Sequence, residues 1–382
     1  MSWGSVSLSD ALRPLKSSPF TRDELNYTGG HYQNVHYGDI LVRFPSVVDA
    51  EKEGLPYVND SAEGRCSRCS LLQNGDIIIA DTAEDEAVGK AIEIQGIKDQ
   101  KVVSGLHTMA YRPQEGVFAP GFLGYFLNSS VFHDQLLPFM QGIKVLSVSK
   151  TAIGDTVIKY PSYKEQEKIV ESLSRVDDMI GALEEAIAKK RQIKEGLMQQ
   201  LLTGKTRLPG YSGEWKEYIF DQVFTTLSDK GKNIDSSEYM VSGLFPIIDQ
   251  GQNEVAGYTN RDNPIIPPIQ GCIVFGDHTR VFKFVDFPFF TGADGTQLLV
   301  VKPVFNALFV YFQCCRLDIP NTGYNRHFKY LKEKSLLIPE TLEEQNAIAC
   351  VLSSTDAEIV QLEIKRDKYA FIKKGMTQEL FT

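Results

Sequence analysis

The sequence predicts an α+β protein: two mixed α/β domains separated by two long antiparallel helices packed as a coiled coil, the whole a pseudo-twofold internal repeat. Three observations predict it. The chain has 382 residues, more than one ordinary core organises. Residues 165–203 align with 344–382 without a gap, and sixteen of the 39 pairs are identical. Each copy also carries an apolar seam that outruns the roughly 8–20 residues of an ordinary globular helix.

The repeat defines the helices. Its identities include Glu165/Glu344, Gln166/Gln345, Ile169/Ile348, Leu173/Leu352, Asp177/Asp356, Lys194/Lys373, Gly196/Gly375 and Thr203/Thr382. In the first copy Ile169, Leu173, Val176, Ile180, Leu183 and Ile187 step by four and three, a heptad seam. In the second, Ile348, Leu352, Thr355, Ile359 and Leu362 keep that spacing until Arg366. Pro161 and Pro339 precede the two segments, where proline suits a helix start. A lone helix of this length cannot bury its stripe, so the two copies are expected to pack on each other. At ~1.5 Å per residue each makes a rod of about 57 Å.

These limits divide the chain into a first domain (1–160), a central helix (161–206), a second domain (207–339) and a C-terminal helix (340–382). The domains repeat more weakly. Trp3-Gly-Ser-Val-Ser-Leu-Ser-Asp-Ala-Leu12 parallels Trp215-Lys-Glu-Tyr-Ile-Phe-Asp-Gln-Val-Phe224, each reading as a strand that leads into a short helix. Gly75-Asp-Ile-Ile-Ile-Ala80 and Gly271-Cys-Ile-Val-Phe-Gly276 both read as a turn and a buried strand. Near each domain's end a glycine opens a polar, basic segment, Gly142 to Lys150 and Gly323 to Tyr330. A strand-like stretch follows each, Thr156 to Tyr160 and Ser335 to Ile338.

Composition excludes several classes. Apolar residues make up 42% and charged residues 23%, as in soluble globular proteins. No apolar run approaches the ~20 residues that cross a bilayer. Met1-Ser2-Trp3-Gly4 lacks a basic n-region and an apolar h-region, so no signal peptide and a cytoplasmic location are expected. Six scattered cysteines fit a reducing compartment. The net charge of −9 comes from three of the four segments, the central helix being neutral, and none is basic, so any nucleic-acid contact must come from local patches.

The chain resembles the specificity subunit of a type I restriction–modification system over nearly its whole length. The residues that carry the resemblance are Pro161-x4-Gln166, Lys194-x-Gly196-Leu-Met-Gln-Gln-Leu-Leu-Thr-Gly204 and its echo Lys373-x-Gly375-Met-Thr-Gln-Glu-Leu-Phe381. Pro209-Gly-Tyr-x-Gly213-x-Trp215 and Phe245-Pro-Ile-Ile-Asp-Gln-Gly251, with Gly257-Tyr258, add to it. The resemblance implies that the globular parts are target-recognition domains, each reading one half of a split, asymmetric site in double-stranded DNA. It implies that the helices are spacers that dock two methyltransferase subunits, with restriction/translocase subunits in the full complex. S-adenosylmethionine would be bound by the methyltransferase subunit, and this chain would hold no cofactor.

Base readout needs Arg or Lys toward guanine and Asn or Gln toward adenine, while phosphates take cations and hydroxyls. The candidates in the second domain are Tyr324, Asn325, Arg326, His327, Lys329 and Tyr330, with His278, Thr279 and Arg280 at a strand end. In the first domain they are Lys144, Ser147, Ser149 and Lys150, together with Arg65 and Arg68 around Cys66. Cys66-Ser-Arg-Cys69 has half the spacing of a zinc site and no second pair, so no metal is expected.

Catalytic motifs are missing. There is no Gly-x-Gly-x-x-Gly, no phosphate-binding loop and no Gly-x-Ser-x-Gly. Asn263-Pro-Ile-Ile266 departs from the Asn/Asp-Pro-Pro-Tyr/Phe motif of adenine methyltransferases, and Glu363-Ile-Lys365 lies inside the helix. A non-catalytic subunit is therefore expected. The competing class is a coiled-coil interaction scaffold without DNA recognition, which the acidic charge favours.

Overall fold

The computed structural model describes residues 3–292, 295–323 and 325–382. It divides into two units, Met1–Glu184 with Ile364–Thr382, and Glu185–Glu363. The long helices are Tyr163–Leu201 and Leu342–Phe381, of 39 and 40 residues. Each unit thus holds one globular part and a stretch of both helices. No helix among the described residues is long and apolar enough to cross a membrane.

In the first unit the ends of the globular part are tied together by antiparallel pairing of Gly4–Ser7 with Val157–Tyr160. A five-stranded sheet runs Leu12–Pro14, Thr108–Pro113, Ile77–Ala80, Ala91–Gln95, Val47–Asp49, antiparallel except for its last pair. A four-stranded sheet orders Lys101–Ser104, Tyr32–Val35, Tyr57–Val58 and Leu25–Asn26. Side chains on a strand alternate between faces, and here both faces are covered. Ile77 and Ile79 enter the core that also holds Phe122, Phe126 and Ile169. Ile78 and Ala80 enter a second core with Val48, Ile92 and Val102. This double burial explains the uninterrupted apolar run at Ile77–Ala80.

The second unit repeats the plan. Trp215–Ile219 pairs antiparallel with Ser335–Pro339. A four-stranded antiparallel sheet orders Phe224–Leu227, Thr296–Val301, Cys272–Gly276 and Phe282–Val285. Phe245–Ile248 forms the centre of a three-stranded sheet with Gly257–Thr259 and Phe290–Thr291. Ile273 and Phe275 face one core, Cys272 and Val274 the other. The expected strand-to-helix openings are present as well, with short helices at Leu8–Ala11 and Phe220–Val223.

Within each unit the helix stretches run antiparallel. In the first, Lys373 pairs with Asp177, while Ile169 and Leu173 share a core with Phe381. In the second, Lys194 pairs with Asp356 and Lys190 with Glu358. Of the seam, Ile169, Leu173, Leu183, Ile187, Ile348, Leu352 and Ile359 are buried, and Val176, Ile180 and Leu362 are half-buried.

A duplicated glutamine fastens each helix to its globular part. Gln166 Oε1 accepts from the Ala119 amide at 2.8 Å, and its Nε2 donates to the Pro161 and Val117 carbonyls. Gln345 Oε1 accepts from the Asn306 amide at 2.8 Å, and its Nε2 donates to the Pro339 carbonyl at 2.9 Å. Both side chains are buried, so these bonds satisfy groups that water cannot reach.

Candidate nucleic-acid interface

Each unit builds one platform where its central strand ends in an aspartate. In the second unit Cys272–Gly276 leads into Asp277, whose amide donates to the Gly295 carbonyl at 2.7 Å. The Asp277 carbonyl accepts from the His327 amide and from His327 Nδ1, both at 2.8 Å. Asp277 Oδ1 accepts from the Phe328 amide at 2.7 Å. The aspartate therefore anchors the glycine-led loop on the turn His278–Arg280, and the two candidate groups of this unit converge.

The imidazole of His327 is fully buried. Its Nδ1 donates to a carbonyl and its Nε2 accepts from the Thr322 amide at 3.3 Å, which assigns the neutral tautomer. His327 thus lies inside the platform as its lock, away from the surface that the sequence expectation gave it. Asn325, Arg326 and Lys329 are exposed around it, and Lys329 lies 4.6 Å from the Tyr330 ring centre. Tyr324 falls outside the described residues. Arg280 adopts a left-handed backbone (φ 64°) and donates from Nη1 to the Ile319 carbonyl. Thr279 Oγ1 donates to the Gln250 carbonyl and the His278 amide to Gln250 Oε1.

In the first unit Ile77–Ala80 leads into Asp81, whose amide donates to the His107 carbonyl at 3.1 Å. Its carbonyl accepts from the Val148 amide at 3.0 Å, and Leu146–Ser147 pairs with Thr82–Ala83. The Gly142 loop is thereby seated as the Gly323 loop is. At Gly142 (φ 136°) a Cβ would meet the Val145 carbonyl oxygen at 1.8 Å, so only glycine closes this turn. Lys144, Ser147 and Lys150 are exposed on it. Ser149 Oγ accepts from the Ala152 amide and caps the helix Lys150–Gly154.

Arg65 and Arg68 lie apart, on the turn Glu63–Arg68. Arg65 pairs with Glu24 and rests over the Phe20 ring. This pairing, with help from the Thr21 amide, lowers the Glu24 carboxyl to about 2. Their neighbour Cys66 is buried, and burial pushes its thiol up to about 11.

The platform holds residues that sequence reading passed over. His107, in a left-handed backbone (φ 50°), places Nδ1 3.3 Å from both Asp81 Oδ1 and Thr82 Oγ1. Tyr37 packs edge-on against its ring at 5.3 Å. No local sequence signal marks this cluster, because its members come from three separated segments.

Known proteins are similar to this chain along most of its length. Residues 212–368 match the model described as the type I restriction modification DNA specificity domain. The chain is similar to the type I restriction–modification specificity subunits. A curated relative, the putative type I restriction enzyme MjaX specificity subunit of Methanocaldococcus jannaschii, is 25% identical over 371 residues, covering 86% of this chain and 81% of the relative. The specificity-subunit fold extends over the whole chain: an S subunit structure from M. genitalium covers 100% of it and 96% of its own length, at TM-score 0.63 and 14% identity. A structure from work on complex assembly and conformational transition of the type I system covers 99% and 97%, at TM-score 0.55 and 16% identity.

Proposed function

We propose that this chain is a specificity subunit that supplies DNA sequence recognition to a type I restriction–modification assembly, each unit reading one half of a bipartite, asymmetric site. The observation that carries this reading is the pair of strand-end platforms. Both anchor a glycine-led loop on an aspartate, yet they present different side chains: Asn325, Arg326 and Lys329 in one, Lys144, Ser147 and Lys150 in the other. Equal scaffolds with unequal surfaces suit unequal half-sites. The long helices act as the spacer and as the docking elements for two methyltransferase subunits, which bind S-adenosylmethionine; restriction/translocase subunits complete the enzyme.

The acidic balance bears on affinity. With a net charge of −9 the chain lacks the cation excess that drives strong phosphate binding. Most phosphate contacts then come from the methyltransferase subunits, and affinity rises steeply on assembly. The test is methylome sequencing of a host that carries the complete system, before and after residues 207–339 are exchanged for those of another specificity subunit. Adenine methylation at a split motif, with one half changed by the exchange, is expected. A motif indifferent to the exchange overturns the reading.

A further inference from the structure

We propose that His107 is a base-reading residue of the first unit, accepting a hydrogen bond from the exocyclic amino group of an adenine or cytosine. The inference rests on the DNA-recognition reading above and deepens it.

The first ground is position. The Asp81 amide donates its strand-end bond to the His107 carbonyl as the Asp277 amide donates to that of Gly295, so the two positions correspond. In the second unit a Cβ added at Gly295 would come 2.9 Å from the His278 ring. An imidazole therefore occupies this corner in both units, delivered from position 107 in one and from the far side of the corner, position 278, in the other.

The second ground is conformation. Histidine at positive φ carries a steric cost that glycine avoids, and such a residue persists where its surroundings over-determine it. Here they do. The Thr82 hydroxyl donates to Asp81 Oδ1 at 2.8 Å, leaving its lone pairs and the carboxylate to receive Nδ1–H of His107. The Tyr37 ring fixes the imidazole plane from one side, and His36 packs on Tyr37 at 4.7 Å.

The third ground is chemistry. With Nδ1 protonated toward Asp81, Nε2 is an acceptor. The side chain is 45% exposed, beside the strand pair that seats the Gly142 loop. In the major groove an acceptor reads adenine N6 or cytosine N4. The ring is held before DNA arrives, so little side-chain entropy is lost on contact.

The test uses the subunit assembled with its methyltransferase subunits and duplexes carrying single base-pair changes across both half-sites. His107→Gly removes the ring and suits the backbone, and His107→Asn tolerates the left-handed backbone with a shorter side chain. Both variants are expected to bind the cognate duplex about 10- to 100-fold more weakly and to lose discrimination at one base pair of one half-site. The other half-site stays unchanged. A His107→Gly complex with an undiminished melting temperature and unaltered discrimination at every position overturns the proposal. So does a uniform loss over all duplexes, which marks a phosphate contact. A wild-type complex that binds all duplexes alike overturns the recognition reading and the role of His107 with it.

Discussion

Lys373 places its ammonium 2.6 Å from the Asp177 carboxylate, beside the Tyr125 ring at 5.5 Å. Tyr125 donates its hydroxyl to the same carboxylate at 2.9 Å, and burial raises the phenol's pKa. The second unit repeats the pair as Lys194 and Asp356, with Phe312 beneath the lysine. These are identities of the helix repeat. The pair in the first unit is about three-quarters shielded from water on both sides, which raises its worth above that of an exposed pair. A double-mutant cycle of Asp177→Asn and Lys373→Met should give a coupling of about 1 kcal/mol. The more exposed Arg191–Glu363 pair should give less than about 0.5 kcal/mol. Equal couplings in denaturant unfolding would refute this ranking.

Glu165 and Glu344 are the same residue of the repeat, yet they do different work. Glu165 is a capping residue: it accepts from the Ser162 amide and hydroxyl at 3.2 and 2.7 Å. Glu344 is buried, bound to Arg207 through Nε at 2.5 Å and Nη2 at 2.6 Å, with the Trp215 indole N–H at 3.4 Å. Glu344→Gln leaves a shielded guanidinium without its counter-charge and should cost about 3–5 kcal/mol. Glu165→Gln should hardly move the midpoint. Chemical denaturation of the two variants decides, and a similar loss in both would show that burial does not separate them.

The helices were legible because a heptad seam repeated in two copies is a long-range pattern written in local spacing. The buried strands were legible for a related reason: Ile77–Ala80 and Cys272–Gly276 are apolar on both faces and each follows a glycine turn, at Gly75 and Gly271. The candidate interface was legible only in outline. The two glycine-led loops stand out by composition, but their anchors do not. His327 sits in a basic, aromatic run and reads as surface, whereas its ring is consumed by Asp277 and Thr322. Arg65 reads as a free cation until the fold brings Glu24 to it from 41 residues away. His107 gains its meaning from a backbone angle and from Asp81, neither of which composition records.

Glu24 gives the first unit a pH-dependent contribution whose sign follows from its pairing. Its carboxyl titrates at about 2 in the folded chain, against an ordinary value of 4.5, chiefly through Arg65. A depressed carboxyl pKa adds stability that is present above the ordinary value and is lost as pH falls toward the folded one. The stability difference between wild type and Glu24→Gln should therefore be largest near neutral pH and shrink between pH 4.5 and pH 2. Both side chains are about a third exposed or more, so the effect is modest and weakens with salt. Melting curves from pH 6 to pH 3 test it, a constant difference counting against the pairing. By the same geometry Arg65→Ala should lower the melting temperature and leave the methylation motif intact.

On the second platform, Arg326 and Lys329 should separate by what they contact. Both are exposed beside the His327 lock, but Lys329 lies against the Tyr330 ring, a point charge on a flat support. A lysine so placed suits a phosphate, while the arginine fork on the loop suits a guanine edge. Lys329→Ala in the assembled complex should weaken binding evenly across sequences and reduce the salt slope by about 1. Arg326→Ala should cost about 1–3 kcal/mol and relax one position of a single half-site. Titrations between low and moderate salt, on cognate and singly substituted duplexes, distinguish the two. If Arg326→Ala lowers the slope without relaxing any base, the arginine is a phosphate contact and base reading on this loop falls to Asn325, the other exposed polar residue described there.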